Sequence, residues 1–142
     1  MAHSYVDFHH NNFRIHDLDL AVTCFLIIDQ AKAIASAELR PMFNHWVESI
    51  SSYGPGCIDL HLDDHLNHPE SVEILINLLD LVARDLDSYP DTYPKDKLNG
   101  ALRETKINLE NDYKVELIRN VINEMRTLIK PGSQYLETSI RT

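Results

Sequence analysis

Glycine and cysteine are scarce in this chain of 142 residues, which has four glycines and two cysteines. Phosphate-binding loops and the nucleophile elbow of hydrolases need grouped glycines, and the sequence contains no such group. Cys24 lies in an apolar cluster and Cys57 follows a Gly-Pro-Gly turn, so their number and spacing do not indicate a disulfide framework or a zinc ribbon. We therefore interpret both cysteines as free thiols.

Long hydrophobic runs are also missing. The longest apolar cluster, Leu20 to Ile28, is much shorter than the ~20 residues that span a bilayer. The first residues, Met1 to Asp7, lack the basic end and the apolar run of a secretory signal. These features predict a soluble, cytoplasmic protein.

Basic residues are outnumbered, with 13 Lys and Arg against 22 Asp and Glu, and the formal net charge is -9. Residues 57–91 hold nine acidic residues and one basic residue, which accounts for most of this excess. A surface of this charge repels nucleic-acid phosphates and anionic membranes and attracts basic partners. We therefore expect a basic protein partner, with neither nucleic acid nor membrane as a partner.

Helical periodicity dominates from residue 17 onwards, and no sustained alternation indicates a sheet. Asp17 is the predicted N-cap of the first helix, Pro41 fits the first turn of the second, and Asn67 with Glu70 predicts a capping box for the third. The expected helices cover about residues 17–37, 39–50, 67–88, 97–105 and 111–130.

These patterns predict an all-α fold, a compact single-domain bundle of about five helices. Residues 1–16 show no regular period and are expected to form an irregular arm, and residues 132–142 a mobile tail. Residues 58–62 are expected to be irregular or a short helix. Trp46 lies at helical spacing from other apolar residues and is interpreted as part of the core.

The acidic segment is the predicted interaction site. A solvated helix face that complements the helix dipole through Glu70 and Glu73 would be an ordinary explanation of its charge. However, a solvated face usually mixes charges of both signs, and like charges repel unless a basic partner offsets the cost. Flanking tyrosines, Tyr93 among them, could anchor such an interface. The predicted partner-binding residues are Asp59, Asp63, Asp64, Glu70, Glu73, Asp80, Asp87, Tyr53 and Tyr89.

The histidines within this segment suggest two alternatives. His61, His65 and His68, with Asp64, could bind a divalent metal if two imidazoles shared one face of a helical turn, giving a metal-binding protein or a metal-dependent enzyme. Cys57 could form a thiolate pair with His61 or His65, with Asp59 or Asp63 orienting the ring. Neither pattern matches a catalytic signature, so the preferred interpretation is a non-enzymatic protein without metal or cofactor.

The stretch Tyr53-Gly-Pro-Gly-Cys-Ile-Asp-Leu-His-Leu-Asp-Asp-His65 and the acidic helix after it resemble the immunity proteins of bacterial toxin systems, including contact-dependent growth inhibition. This resemblance implies a cytoplasmic inhibitor that binds a cognate basic toxin domain, often a nuclease, and blocks it without turnover. A further alternative is a helical subunit whose apolar flanks pair into a homo-oligomer.

Overall fold

The computed structural model describes residues 2–34, 37–52 and 55–130. Within these ranges the chain forms six helices and four strands, and the strands pair as two separate antiparallel sheets, β1 with β2 and β3 with β4. In chain order the elements are β1 His3–Phe8, β2 Asn11–His16, α1 Asp17–Ala33, α2 Arg40–Ser52, α3 Leu62–His65, α4 Pro69–Leu86, β3 Thr92–Tyr93, α5 Lys95–Ala101, β4 Tyr113–Lys114 and α6 Val115–Ile129.

The prediction of an all-α bundle of about five helices was wrong, because the protein is mixed α/β. The main reason is residues 3–16, which form a β-hairpin instead of an irregular arm. Every second residue of the hairpin faces the core, as the pleat of a strand requires. Two of these inward residues, Ser4 and Asn11, are polar, and this weakens the apolar alternation in the sequence.

The turn of this hairpin is also unusual. β1 and β2 are joined by two residues, His9 and His10, with φ angles of 49° and 69°. Two-residue hairpin turns of this kind favour Asn-Gly or Asp-Gly, because both central residues need a positive φ. Histidine adopts this conformation more often than most residues, although the left-handed region still costs about 1–2 kcal/mol per residue. The usual turn signal is therefore absent from the sequence.

Helix α1 is the central buried helix, as its apolar sequence predicts. All residues from Asp19 to Ile28 are buried, and the helix contacts α2, α4, α5 and α6. It ends at Ala33, earlier than predicted, and its N-cap is His16. Asp17 therefore lies in the first turn, where its carboxylate is free to bind other segments.

Helices α2 and α6 confirm the predicted apolar faces. Trp46 of α2 is completely buried. The predicted core residues of α6 are likewise all buried: Val115, Ile118, Val121, Ile122, Met125, Leu128 and Ile129. Regular apolar spacing on an amphipathic helix was therefore a sufficient signal for these two elements.

Helix α4 begins at Pro69, and the predicted capping box is not formed. His68 is the N-cap residue without a side-chain cap, and the Asn67 amide instead donates to the carbonyl oxygen of Asp64, 2.9 Å away. Proline suits the first helical position because it has no N–H group to leave unpaired. Pro69 therefore fixes the start of the helix.

One hydrophobic cluster includes buried residues from all ten elements. None of the described helices is both long and apolar enough to cross a bilayer. The predicted tail, residues 132–142, lies outside the described residues.

Candidate functional site

The segment between α2 and α3 is hydrogen bonded to two buried side chains of α2. The Trp46 indole N–H donates to the carbonyl oxygen of Leu60 at 2.8 Å, and the Asp59 N–H donates to the Ser49 hydroxyl at 2.8 Å. Leu60 and Leu62 are buried, so the intervening polar side chains face outward. Asp59 and His61 alternate with the buried Ile58, Leu60 and Leu62 and therefore project outward from a backbone that these hydrogen bonds hold in place.

The Asp17 carboxylate joins this segment to the β-hairpin and to α1. One oxygen accepts the Ser4 hydroxyl at 2.5 Å, and the other accepts the Gly56 N–H at 2.7 Å. The Ser4 hydroxyl also accepts the N–H of Ile58 at 3.1 Å. Gly56 has a φ of 80°, and a Cβ there would lie 3.2 Å from the carbonyl oxygen of His3. Only glycine fits this close approach without strain.

The hairpin turn touches α3. The N–H of His9 donates to the Asp63 carboxylate at 3.0 Å. This hydrogen bond joins a residue that precedes α1 in the chain to one that follows it. Burial raises the pKa of the nearby Asp7 carboxyl, and the negative charges of Asp59 and Asp63 raise it further. Carboxylates from β1, the α2–α3 segment and α3 therefore repel one another across a single surface.

His61 lies between two of these carboxylates. Its Nδ1 is 3.2 Å from Asp64 and its Nε2 is 3.9 Å from Asp59. Its backbone has a φ of 53°, and its N–H donates to the Asp59 side chain at 2.9 Å. We call the whole area the carboxylate–histidine surface, which comprises Asp7, His9, His45, Asp59, His61, Asp63, Asp64 and His65.

His65 and His45 form an imidazole pair at the edge of this surface. Nε2 of His65 is 2.8 Å from Nδ1 of His45, so one ring donates and the other accepts. Burial lowers the pKa of His65, and the neighbouring His45 and His61 lower it further, against the opposing effect of Asp64. His65 is therefore uncharged at neutral pH and does not neutralise the carboxylates.

Within the described ranges, no lysine or arginine forms an ion pair with a carboxylate of this surface; the side chains of opposite type within 4 Å are the imidazoles of His9 and His61. Sequence reasoning identified Asp59, Asp63 and Asp64, and the structure brings them together. Asp7, His9 and His45 were not predicted. Burial alternates along β1 and puts Asp7 on its outer face, but the inward Ser4 hides this alternation in the sequence. No sequence signal connects His45 with His65.

Two other predicted partner-binding residues form ion pairs with arginines of the same chain. Asp87 accepts a hydrogen bond from Arg119 at 2.7 Å, and Asp80 accepts one from Arg126. Both arginines belong to α6, so these ion pairs join α4 to α6. The acidic excess of residues 57–91 is therefore only partly available to an external partner.

The remaining predicted residues lie apart from one another. Glu70 and Glu73 are exposed near the start of α4 and form no ion pair with the residues that the structure describes. Tyr89 follows the other end of this helix, about 27 Å away for its 18 residues, and its hydroxyl accepts Lys97 at 2.6 Å. Tyr53 lies outside the described residues.

The arrangement of the metal and thiol candidates differs from the sequence hypotheses. His61 and His65 have the partners described above, and His68 is exposed ahead of α4. In the described part of the chain, no group of three His, Cys, Asp or Glu side chains is positioned to hold a metal ion. The exposed thiol of Cys57 is 3.8 Å from the carbonyl oxygen of Pro55 and is hydrogen bonded to neither His61 nor His65.

The fold and this surface define a small mixed α/β protein with an acidic, histidine-containing face. Comparison of the chain with protein families, with curated proteins and with solved structures gives no match.

Proposed function

We propose that this protein is a non-enzymatic inhibitor that binds a basic protein domain through the carboxylate–histidine surface, as an immunity protein binds its cognate toxin. One observation carries the proposal. Asp7, Asp59, Asp63 and Asp64 come from separate segments and gather without a lysine or arginine of the described residues to neutralise them. A cationic partner would supply the missing charge.

Electrostatics favours such a partner in two ways. Gathered like charges destabilise the free protein, and a cation from a partner removes this cost on binding. The same charges attract a basic surface over about a Debye length, ~8 Å at physiological salt, and speed association. A toxin domain of the nuclease class has a basic groove for phosphates, and a row of carboxylates has the sign needed to occupy it.

The rigidity of the surface supports the proposal further. Its backbone is held by the Trp46 and Asp17 hydrogen bonds, so the carboxylates are positioned before binding. A preorganised surface loses less conformational entropy when a partner binds than a mobile one does. Less of the free energy gained from the new ion pairs is therefore needed to offset the loss of conformational entropy on binding.

The first experiment locates the electrostatic surface with fluorescein-labelled octa-lysine and fluorescence polarisation. The wild-type protein is expected to bind the peptide saturably, with affinity that falls as NaCl rises from about 50 to about 300 mM. The triple variant Asp59→Asn/Asp63→Asn/Asp64→Asn is expected to weaken binding by at least about tenfold, as loss of charged contacts to a peptide predicts.

A matched variant distinguishes binding at this surface from an effect of the net charge of the protein. Asp91→Asn/Asp96→Asn/Glu110→Gln removes the same number of charges from exposed positions outside the carboxylate–histidine surface. It is expected to bind octa-lysine with at most about a twofold change. Equal losses in the two triple variants would show that only the overall charge matters, and the proposed surface would be rejected.

Inhibition itself is tested by searching the genes next to this chain for a large secreted protein with a basic C-terminal domain and coexpressing any domain found with the chain. The wild-type protein and the matched variant are expected to protect cells from that domain, whereas the Asp59, Asp63 and Asp64 triple variant is not. Protection that survives in the triple variant would contradict the proposed mode of inhibition.

A further inference from the structure

A cleft of about 670 Å³ opens between the second half of α1, the start of α2 and α5. This volume lies within the range of about 300–1,000 Å³ that is usual for small-molecule sites. The cleft contains none of the residues of the carboxylate–histidine surface, although α2 contributes to both. It is therefore a separate feature of the molecule.

The walls of the cleft include apolar side chains from two helices. Phe25 and Ile28 of α1 and Phe43 and Val47 of α2 line it, and all four are buried or partly buried against the core. Phe25, Ile28 and Phe43 show only their edges, so together with the more exposed Val47 they form a small, fixed apolar floor that can contact the hydrocarbon or aromatic part of a ligand.

The rim of the cleft is basic, although the protein as a whole is acidic. Four basic residues line the cleft with two acidic ones, Asp29 and Glu104. Lys32 is 4.0 Å from Asp29, and Lys97 donates to the Tyr89 hydroxyl. The other two basic residues are Arg40 and Arg103.

These two arginines have exposed side chains whose guanidinium groups form no hydrogen bond or ion pair with any described residue. Arg40 is also the first residue of α2, a helix with no acidic residue in its first turn. No carboxylate of that turn offsets the positive end of the helix dipole. Arg40 and Arg103 are therefore free to bind an anion at the cleft.

We propose that this cleft binds a small amphipathic carboxylate, with an acyl or aromatic body against the apolar wall and its carboxylate held by Arg40 and Arg103. Charge complementarity supports this class of ligand, since guanidinium groups bind carboxylates through paired hydrogen bonds. The proposal does not depend on the inhibitory function, because the two features share no side chain.

The test uses anilinonaphthalene sulfonate, an anionic aromatic probe that fluoresces in apolar sites, with the full-length protein. Saturable binding at one site is expected, with displacement by decanoate. Decanol and decylammonium share the alkyl chain but lack the negative charge, and they are expected to compete at least about tenfold less well, as loss of a charged hydrogen bond predicts.

Variants of the two arginines test whether the probe binds in the cleft. Arg40→Gln and Arg103→Gln are each expected to weaken binding of the probe and of decanoate by about tenfold. Arg84→Gln is the matched control, because Arg84 is an exposed arginine of α4 outside the cleft. It is expected to bind the probe as the wild-type protein does.

Gly100→Leu tests the volume of the cleft without removing a charge. Gly100 lines the cleft in α5, and a Cβ at this position would have no atom within 4 Å. Leucine also favours a helix over glycine, so this variant should fold well while its side chain occupies the site. Binding of the probe is expected to be lost.

Three outcomes would overturn the proposal. The first is no saturable binding of the probe to the wild-type protein, and the second is unchanged binding in Gly100→Leu. The third is equal competition by decanol and decanoate together with unchanged binding in Arg40→Gln and Arg103→Gln, which would show an apolar groove without selectivity for anions.

Discussion

The acidic residues of α4 and those of the carboxylate–histidine surface are close in sequence but have different surroundings. Asp80 of α4 and Asp87, the C-cap residue of that helix, each form an ion pair with an arginine of α6. Asp59 and Asp64 instead contact His61, through its imidazole and, for Asp59, also through its backbone N–H. The first group therefore stabilises helix packing, whereas the second keeps its charge at the surface. Charge counted along the sequence does not distinguish these two roles.

The largest effect is expected where the carboxylate–histidine surface is fastened to the core. Trp46→Ala removes a completely buried side chain and should lower the free energy of unfolding by about 3–5 kcal/mol, measured by urea denaturation. Trp46→Phe keeps most of the apolar volume but loses the hydrogen bond to Leu60, and should cost about 1–3 kcal/mol because that carbonyl is left buried. A negligible cost for Trp46→Phe would show that this bond does not hold the segment.

The next effect concerns the link between the hairpin and the α2–α3 segment. Asp17→Ala leaves the Ser4 hydroxyl and the Gly56 N–H without their acceptor and should lower the free energy of unfolding by about 1.5–3 kcal/mol. Asp29→Ala is the control, because Asp29 is an exposed aspartate of the same helix. Its cost should be below about 0.5 kcal/mol. Similar costs at both positions would contradict the role assigned to Asp17.

A smaller effect compares the two groups of carboxylates directly. Arg126→Gln breaks the ion pair with Asp80 and should lower the free energy of unfolding by about 0.5–1 kcal/mol, since both groups are partly exposed. Asp64→Asn should leave stability unchanged or slightly raised, because it removes repulsion and the asparagine side chain can still hydrogen bond to the His61 ring. If Asp64→Asn proved as destabilising as Arg126→Gln, the distinction between carboxylates paired with arginine and carboxylates without a lysine or arginine partner would fail.

The smallest expected change in the free energy of unfolding is a gain, and it depends on pH. The raised pKa of Asp7 means that the folded protein binds a proton at this carboxyl more tightly than the unfolded chain does. Its charge therefore destabilises the fold at neutral pH, and the penalty disappears as pH falls below the ordinary aspartate pKa of about 4.

Asp7→Asn should accordingly raise the free energy of unfolding at neutral pH by roughly 0.3–0.5 kcal/mol, a value reduced by solvent screening. The gain should shrink steadily as pH falls through about 4. Urea denaturation at several pH values measures it, with Asp91→Asn as an exposed control outside the surface. A gain that is independent of pH would rule out charge repulsion as its cause.

The parts of the fold that the sequence predicted correctly depend on local patterns. The apolar face of α6 repeats at helical spacing, and Pro41 lies in the first turn of α2, so both helices could be placed from neighbouring residues alone. The hairpin could not be predicted from neighbouring residues, because its inward positions include the polar Ser4 and Asn11 and its turn is His9-His10. Burial against α1 and α6 stabilises strands whose local signals are weak.

The candidate site was only partly predictable for a related reason. Asp59, Asp63 and Asp64 are neighbours in sequence, so their proximity could be expected. The pairs Asp87–Arg119 and His65–His45 join residues that are 32 and 20 positions apart. Which carboxylates are neutralised internally depends on how α4 packs on α6, and helical periodicity does not determine this packing.

The most direct test of the central claim is a nitrogen-15 NMR titration of the full-length protein with octa-lysine at low salt. Amide shifts are expected to change most at residues 7–10 and 57–66 and very little at Asp80 and Asp87, whose carboxylates already bind Arg126 and Arg119. Changes centred on α4 and α6, or spread evenly over every exposed acidic residue, would show that the carboxylate–histidine surface is not the binding site.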